Sequence, residues 1–129
     1  MSVTYIPAAL RNLVRKRAKG NCEYCSISEK VSFAKHQIDH IIAEKHGGLT
    51  IEENLALSCT LCNKHKGSDI ASIDNKTGEI VPLFNPRKDI WSKHFKIENG
   101  YFIGLTPNAR ATIWLLQLNN FSRVAERQM

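Results

Sequence analysis

The apolar positions of the chain fall into short groups whose spacing changes from helical to strand-like and back. Between Pro7 and Gly20, Leu10, Leu13 and Val14 recur at helical spacing, with Arg11, Arg15, Lys16, Arg17 and Lys19 around them. This predicts a helix over 7–19, with Pro7 in its first turn and Gly20 as its stop. Val31–Ile42 is β-branched and apolar enough for one or two strands. Ala43–Glu53 reads as a loop around Gly47-Gly48, and Thr50 with Glu53 has the form of a capping box for one helical turn. Leu55–Ser58 follows as a short strand, and Thr60–Lys66 as a short helix ended by Gly67.

Beyond Gly67 the alternation predicts a hairpin over Ile73–Leu83 through residues 74–78, with Pro82 confining its second strand to an edge. Asn85-Pro86 suits a helix start, cap then first position, running to about His94. Phe95–Glu98 and Tyr101–Gly104 flank Asn99-Gly100, the strongest hairpin signal in the chain. Thr106-Pro107 opens a last helical region in which Ile113, Trp114, Leu116 and Leu118 fit core positions, and a break near Asn119-Asn120 splits off a helix at 121–127. The expected class is α+β, a single domain over 1–129 with a core at about 22–67 and a C-terminal hairpin and helix extension over 68–129.

The 129 residues fit one domain with a modest core, of the size that often leans on a metal or disulfides. A net charge of +6 favours a polyanionic partner, and alone favours it weakly. No apolar run is long enough to span a bilayer, so no membrane partner is expected. The first residues lack a charged stretch followed by an apolar one, which makes the cytoplasm the expected location.

In a reducing compartment four cysteines in two C-x-x-C pairs read as a zinc site before disulfides. Cys22, Cys25, Cys59 and Cys62 supply four thiolates, enough to close a tetrahedral structural Zn²⁺ and leave it no open position for chemistry. The long gap between the pairs contains Asp39-His40 and Asn54, and Asn63 directly follows Cys62. Phosphodiester hydrolysis needs an activated water, neutralised phosphoryl oxygens and help for the leaving oxygen. Mg²⁺ or Mn²⁺ held by oxygen ligands supplies the last two, and Asp39 and Asn63 offer a carboxylate and an amide oxygen. Imidazole exchanges protons near neutral pH, which suits His40 to take the proton from water. Adjacent strand residues point to opposite faces, so Asp39 and His40 share a site only at a strand end or distortion.

Asp39-His40, Asn54 and Cys62-Asn63-Lys64-His65-Lys66 resemble the HNH endonuclease family, in the subgroup whose flanking cysteines carry structural zinc. The resemblance covers residues 22–67. It implies a ββα-metal fold and metal-dependent cleavage of DNA, with His40 as general base, Asp39 and Asn63 as ligands of the divalent ion, and Asn54 bracing the loop that orients His40. Asn63 stands where many members have His, and both ligate through the side chain. Lys64, Lys66, Arg15 and Arg17 are candidate phosphate contacts, with a solvated surface as the plainer reading of each. His36 is more simply a packed or surface histidine, with a phosphate contact or a support for the site as its alternative; His65 is a weaker candidate for a metal or phosphate neighbour, His46 a loop residue and His94 structural. Arg110 could meet a phosphate at the start of the last helix. One such site cuts one strand, so double-strand cleavage would need a homodimer or two events; a homodimer or larger phage, restriction or mobile-element machinery are the candidate partners besides DNA. The alternative to the enzyme is a non-catalytic zinc-ribbon-like module that binds nucleic acid, which would have no use for Asp39-His40, Asn54 and Asn63 at these spacings.

Overall fold

A computed structural model describes residues 4–129. The backbone parts into two compact units, one ending at Asp69 and the other beginning at Ile70, close to the expected end of the core segment. No helix among the described residues is long and apolar enough to cross a membrane.

In the N-terminal unit, helix α1 (Ala8–Arg17) follows Pro7 and stops where Lys19 and Gly20 take positive φ values of 55° and 74°. Val14 is fully buried with Leu55 and Leu57, and Ile6, Leu10, Ala18 and Ile38 close over them. Strands β1 (Gln37–His40) and β2 (Leu55–Ser58) pair antiparallel, with Asp39 opposite Ala56 and His40 opposite Leu55. Helix α2 (Thr60–Lys66) follows β2 after Cys59 and ends at Gly67, φ 51°. Two strands and a helix therefore stand in the expected order.

Two expectations for this unit change. The strand expected across Val31–Ile42 is only four residues long, because β2 offers partners to four residues only. Residues 29–31 instead form a 3-10 turn capped by the Ser28 side chain, and Val31 and Phe33 are exposed. The capping box at Thr50 does not form. The 3-10 turn over Glu52–Asn54 starts from Ile51, and the Thr50 hydroxyl is engaged by His40.

The C-terminal unit contains two antiparallel hairpins, β3 (Ala71–Ile73) with β4 (Ile80–Pro82), and β5 (Phe95–Glu98) with β6 (Tyr101–Gly104). Asn99 and Gly100 turn the second at φ 51° and 83°, both left-handed, as a type I′ turn requires. Between the hairpins the helix expected over Asn85–His94 is reduced to α3 (Trp91–His94). Asn85 does cap the amides of Arg87 and Lys88, but its own N–H donates to the Asp89 carboxylate and closes the segment as a turn. Helices α4 (Pro107–Leu115) and α5 (Phe121–Gln128) follow, capped by Thr106 and Asn120. Phe84, Phe95 and Phe102 form the core with Leu116 and Leu118, their rings meeting edge to face at 5.1–5.8 Å. Trp114, expected inside, is 68% exposed: α4 turns Ala111 and Thr112 inward, which puts Trp114 on the opposite face. Arg110 is not a phosphate contact but a bidentate partner of Asp74, with two bonds of 2.9 Å.

Candidate metal centres and active-site cleft

The four cysteines converge. Cys22, Cys25, Cys59 and Cys62 are buried free thiols whose sulfurs all lie within 4.8 Å of one another, Cys25 and Cys59 at 3.6 Å. A tetrahedral zinc with Zn–S bonds of about 2.3 Å places its sulfurs roughly 3.8 Å apart, so the cluster fits that ion. The amides of Cys25 and Cys62 donate to the sulfurs of Cys22 and Cys59, each at 3.4 Å. Each C-x-x-C therefore turns tightly around its own first thiolate. Hydrogen bonds from the other thiols hold Cys59 well below the ordinary thiol range, while burial pushes Cys22 up. The first knuckle is stitched to β2 from both sides. The Glu23 amide donates to the Leu57 carbonyl, and the Leu57 amide donates to the Glu23 carboxylate, both at 2.8 Å.

Asp39, on β1, is 5% exposed and has two partners. The Tyr24 hydroxyl donates to its Oδ2 at 2.8 Å, and Lys66 Nζ lies 3.1 Å from Oδ2 and 3.4 Å from Oδ1. Burial pushes the Asp39 carboxyl above the ordinary carboxylate range, with the Lys66 ammonium and then Tyr24 working against it. Lys66 is itself 2% exposed and donates to the carbonyls of His40 and Ile41 at 3.2 and 3.1 Å. The expectation of Lys66 as a phosphate contact is therefore corrected. The last turn of α2 points its ammonium inward, where a buried carboxylate and two strand-end carbonyls satisfy it.

His40 stands at the end of β1, where the strand breaks and lets neighbouring residues share a site. Its Nε2 is 2.9 Å from Thr50 Oγ1, and its Nδ1 has no hydrogen-bond partner among the described residues. Asn54 ties the intervening loop. Its Oδ1 accepts from the Ile42 amide at 2.9 Å, and its Nδ2 donates to the carbonyls of Ile42 and Leu49 at 3.0 and 2.9 Å. Gly48 makes this closure sterically feasible: a Cβ there would lie 1.7 Å from the Ile42 carbonyl oxygen and 2.9 Å from Asn54 Nδ2.

Asn63, on the first turns of α2, donates through Nδ2 to Gln37 Oε1, and its Oδ1 has no hydrogen-bond partner among the described residues. Asp39, His40, Asn63 and Lys64 line one cleft of about 710 Å³ with Gln37 and Glu44. The wall combines a carboxylate, an amide oxygen and an imidazole nitrogen. Oxygen donors of this kind match a hard divalent cation. Lys64 is exposed at the rim.

Other expected residues lie elsewhere. Arg15 bonds Glu29 at 2.5 Å and the His36 carbonyl at 2.9 Å, and Arg17 bonds the carbonyls of Glu52 and Leu55 at 2.9 and 2.7 Å. Both guanidiniums thus tie α1 to the rest of the unit. The fork of donors that suits phosphate suits backbone carbonyls equally well. His36 is 1% exposed, with Nε2 2.9 Å from the Ile27 carbonyl, a packed residue. His65 is half-buried on α2 and outside the cleft lining.

Three participants carried little sequence signal. Thr50 looked like a helix cap, and Gln37 was one more strand residue. Tyr24 was hidden between two cysteines, although a phenol beside a zinc knuckle is a usable signal for a buried hydrogen bond.

Residues 22–69 match the family model of the HNH endonuclease. The chain is also 27% identical over 127 residues to Septu protein PtuB of Bacillus thuringiensis, an alignment that covers 97% of this chain and 45% of that protein. The matched family segment takes in both cysteine pairs, β1, β2 and α2.

Proposed function

We propose that the chain, which carries an HNH endonuclease domain at residues 22–69, hydrolyses phosphodiester bonds in DNA with Mg²⁺ or Mn²⁺ as cofactor. One observation carries the reading. His40 and Asn63, whose Nδ1 and Oδ1 have no hydrogen-bond partner among the described residues, line a single cleft together with Asp39. Asp39 and Asn63 would hold the divalent cation. When bound, that ion would neutralise the phosphoryl oxygens and assist the leaving oxygen.

His40 takes the proton from the attacking water through Nδ1, with Thr50 at Nε2 holding the ring in place. Asn54 holds the 42–49 loop closed around that histidine and touches no reacting atom. Lys64 meets a phosphate at the cleft rim, and the charge of +6 draws the polyanion in. The four cysteines hold zinc as a structural element only. A single site of this kind nicks one strand, and a homodimer or two events make a double-strand break.

Plasmid cleavage by the zinc-loaded protein and its His40→Ala variant, each with Mg²⁺, Mn²⁺ or EDTA, tests the proposal. Metal-dependent nicking or linearisation by the native chain alone supports it. A second reading, a zinc-ribbon-like module that binds nucleic acid without cutting it, is favoured by the partners Asp39 already has in Lys66 and Tyr24. It predicts DNA retention with no cleavage under any of these conditions.

A further inference from the structure

We infer that Tyr24 is a positioning residue for Asp39, through which the zinc knuckle sets the affinity of the cleft for its divalent cation. The inference rests on the reading of Asp39 as a ligand of that cation. Tyr24 sits between Cys22 and Cys25 and is 1% exposed. Its place is fixed twice, by the two sulfurs flanking it and by the paired bonds of its neighbour Glu23 to Leu57 on β2. From there its hydroxyl reaches Asp39 Oδ2 at 2.8 Å.

β2 is the strand against which Asp39 itself is registered, opposite Ala56. The knuckle and the carboxylate are thus referenced to adjacent residues of β2, Leu57 and Ala56. Asp39 Oδ2 accepts from the phenol and faces Lys66 at 3.1 Å, while Oδ1 has only the longer 3.4 Å contact. The phenol therefore selects which oxygen stays engaged with the protein and which is the weaker-held one. A carboxylate ligand oriented by a hydrogen bond from its neighbour loses little freedom when it binds a metal, and groups that orient ligands in this way typically change metal affinity by 10–100-fold when removed. The same hydroxyl could simply satisfy a buried carboxylate. In that case its loss would lower stability and leave the affinity for the cation unchanged.

Calorimetric titration of Mn²⁺ into the full, zinc-loaded chain separates the two, using the native protein, Tyr24→Phe and Asp39→Ala. The expected result is loss of binding in Asp39→Ala and binding weakened about 10–100-fold in Tyr24→Phe, whose zinc content stays native. Native Mn²⁺ affinity in Tyr24→Phe beside a loss in Asp39→Ala overturns this inference alone. Native affinity in Asp39→Ala overturns the reading of Asp39 as ligand, and this inference with it. Should Tyr24→Phe fail to hold zinc, 3-fluorotyrosine incorporated into the native chain gives a second measurement. The fluorine resonance of Tyr24 should move on Mg²⁺ titration while those of the exposed Tyr5 and Tyr101 stay fixed, and a stationary Tyr24 resonance overturns the inference.

Discussion

Lys66, in the last turn of α2, places its Nζ 3.1 Å from Asp39 Oδ2 on β1, and both side chains are almost completely buried. This pair closes the helix against the strand behind Asp39, which lines the cleft. It keeps a counter-charge beside a carboxylate that burial alone would drive towards its neutral form. An ammonium with three donors and three acceptors in reach leaves little of its charge uncompensated.

Removing the lysine should therefore cost more than an ordinary substitution. Lys66→Met is expected to destabilise the protein by about 3–5 kcal/mol at neutral pH, because it leaves a buried carboxylate without its partner. The sign with pH follows from Asp39. Its folded value is raised, so the protonated form is favoured in the folded state and the loss should shrink as pH falls and the carboxyl takes up a proton. Urea denaturation of both proteins across that range measures it, and a loss below about 1 kcal/mol at neutral pH would contradict the pairing.

Thr50→Val should act on cleavage and spare the fold. The hydroxyl at His40 Nε2 fixes the ring whose Nδ1 is the proposed base. One such bond is worth about 1 kcal/mol, or roughly fivefold in rate. Single-turnover cleavage at saturating Mg²⁺ should show that reduction in a variant that stays folded and keeps its zinc. A rate equal to native would leave Thr50 without a part in orienting His40.

Cys59→Ser removes one of four converging sulfurs and, with it, the residue whose Sγ accepts from the first turn of α2. Structural zinc contributes folding energy directly. The variant should lose its zinc and melt at a distinctly lower temperature, read by metal analysis and circular dichroism. Retention of one zinc per chain with native melting would remove Cys59 from the site.

The Asp74–Arg110 pair provides a pH test away from the cleft. Two bonds from the guanidinium hold the Asp74 carboxyl well below the usual carboxylate range. A depressed folded value contributes stability that is fully present above the unfolded value, about 4, and is lost as pH falls through the folded one. Asp74→Asn should therefore destabilise at pH 7, with the gap to the native protein narrowing in acid. Denaturant midpoints at several pH values decide it, and a gap that widens towards low pH would reverse the sign.

The residues that announced themselves in the sequence did so because their chemistry depends on local spacing. Two C-x-x-C pairs bring four sulfurs within 4.8 Å of one another, Asn99-Gly100 turns a hairpin through two left-handed residues, and Asp39, His40 and Asn63 line one cleft. The tertiary structure decided everything that depends on which way a long or amphipathic side chain turns. Lys66, Arg15 and Arg17 read as surface charge, yet each finds carbonyls or a carboxylate up to 38 residues away. Thr50 left its expected cap for His40, and Tyr24 found Asp39. Spacing along a chain specifies a residue's neighbours within a turn or a strand. Its partners across the fold depend on the packing of β1, β2 and α2, which no local pattern records.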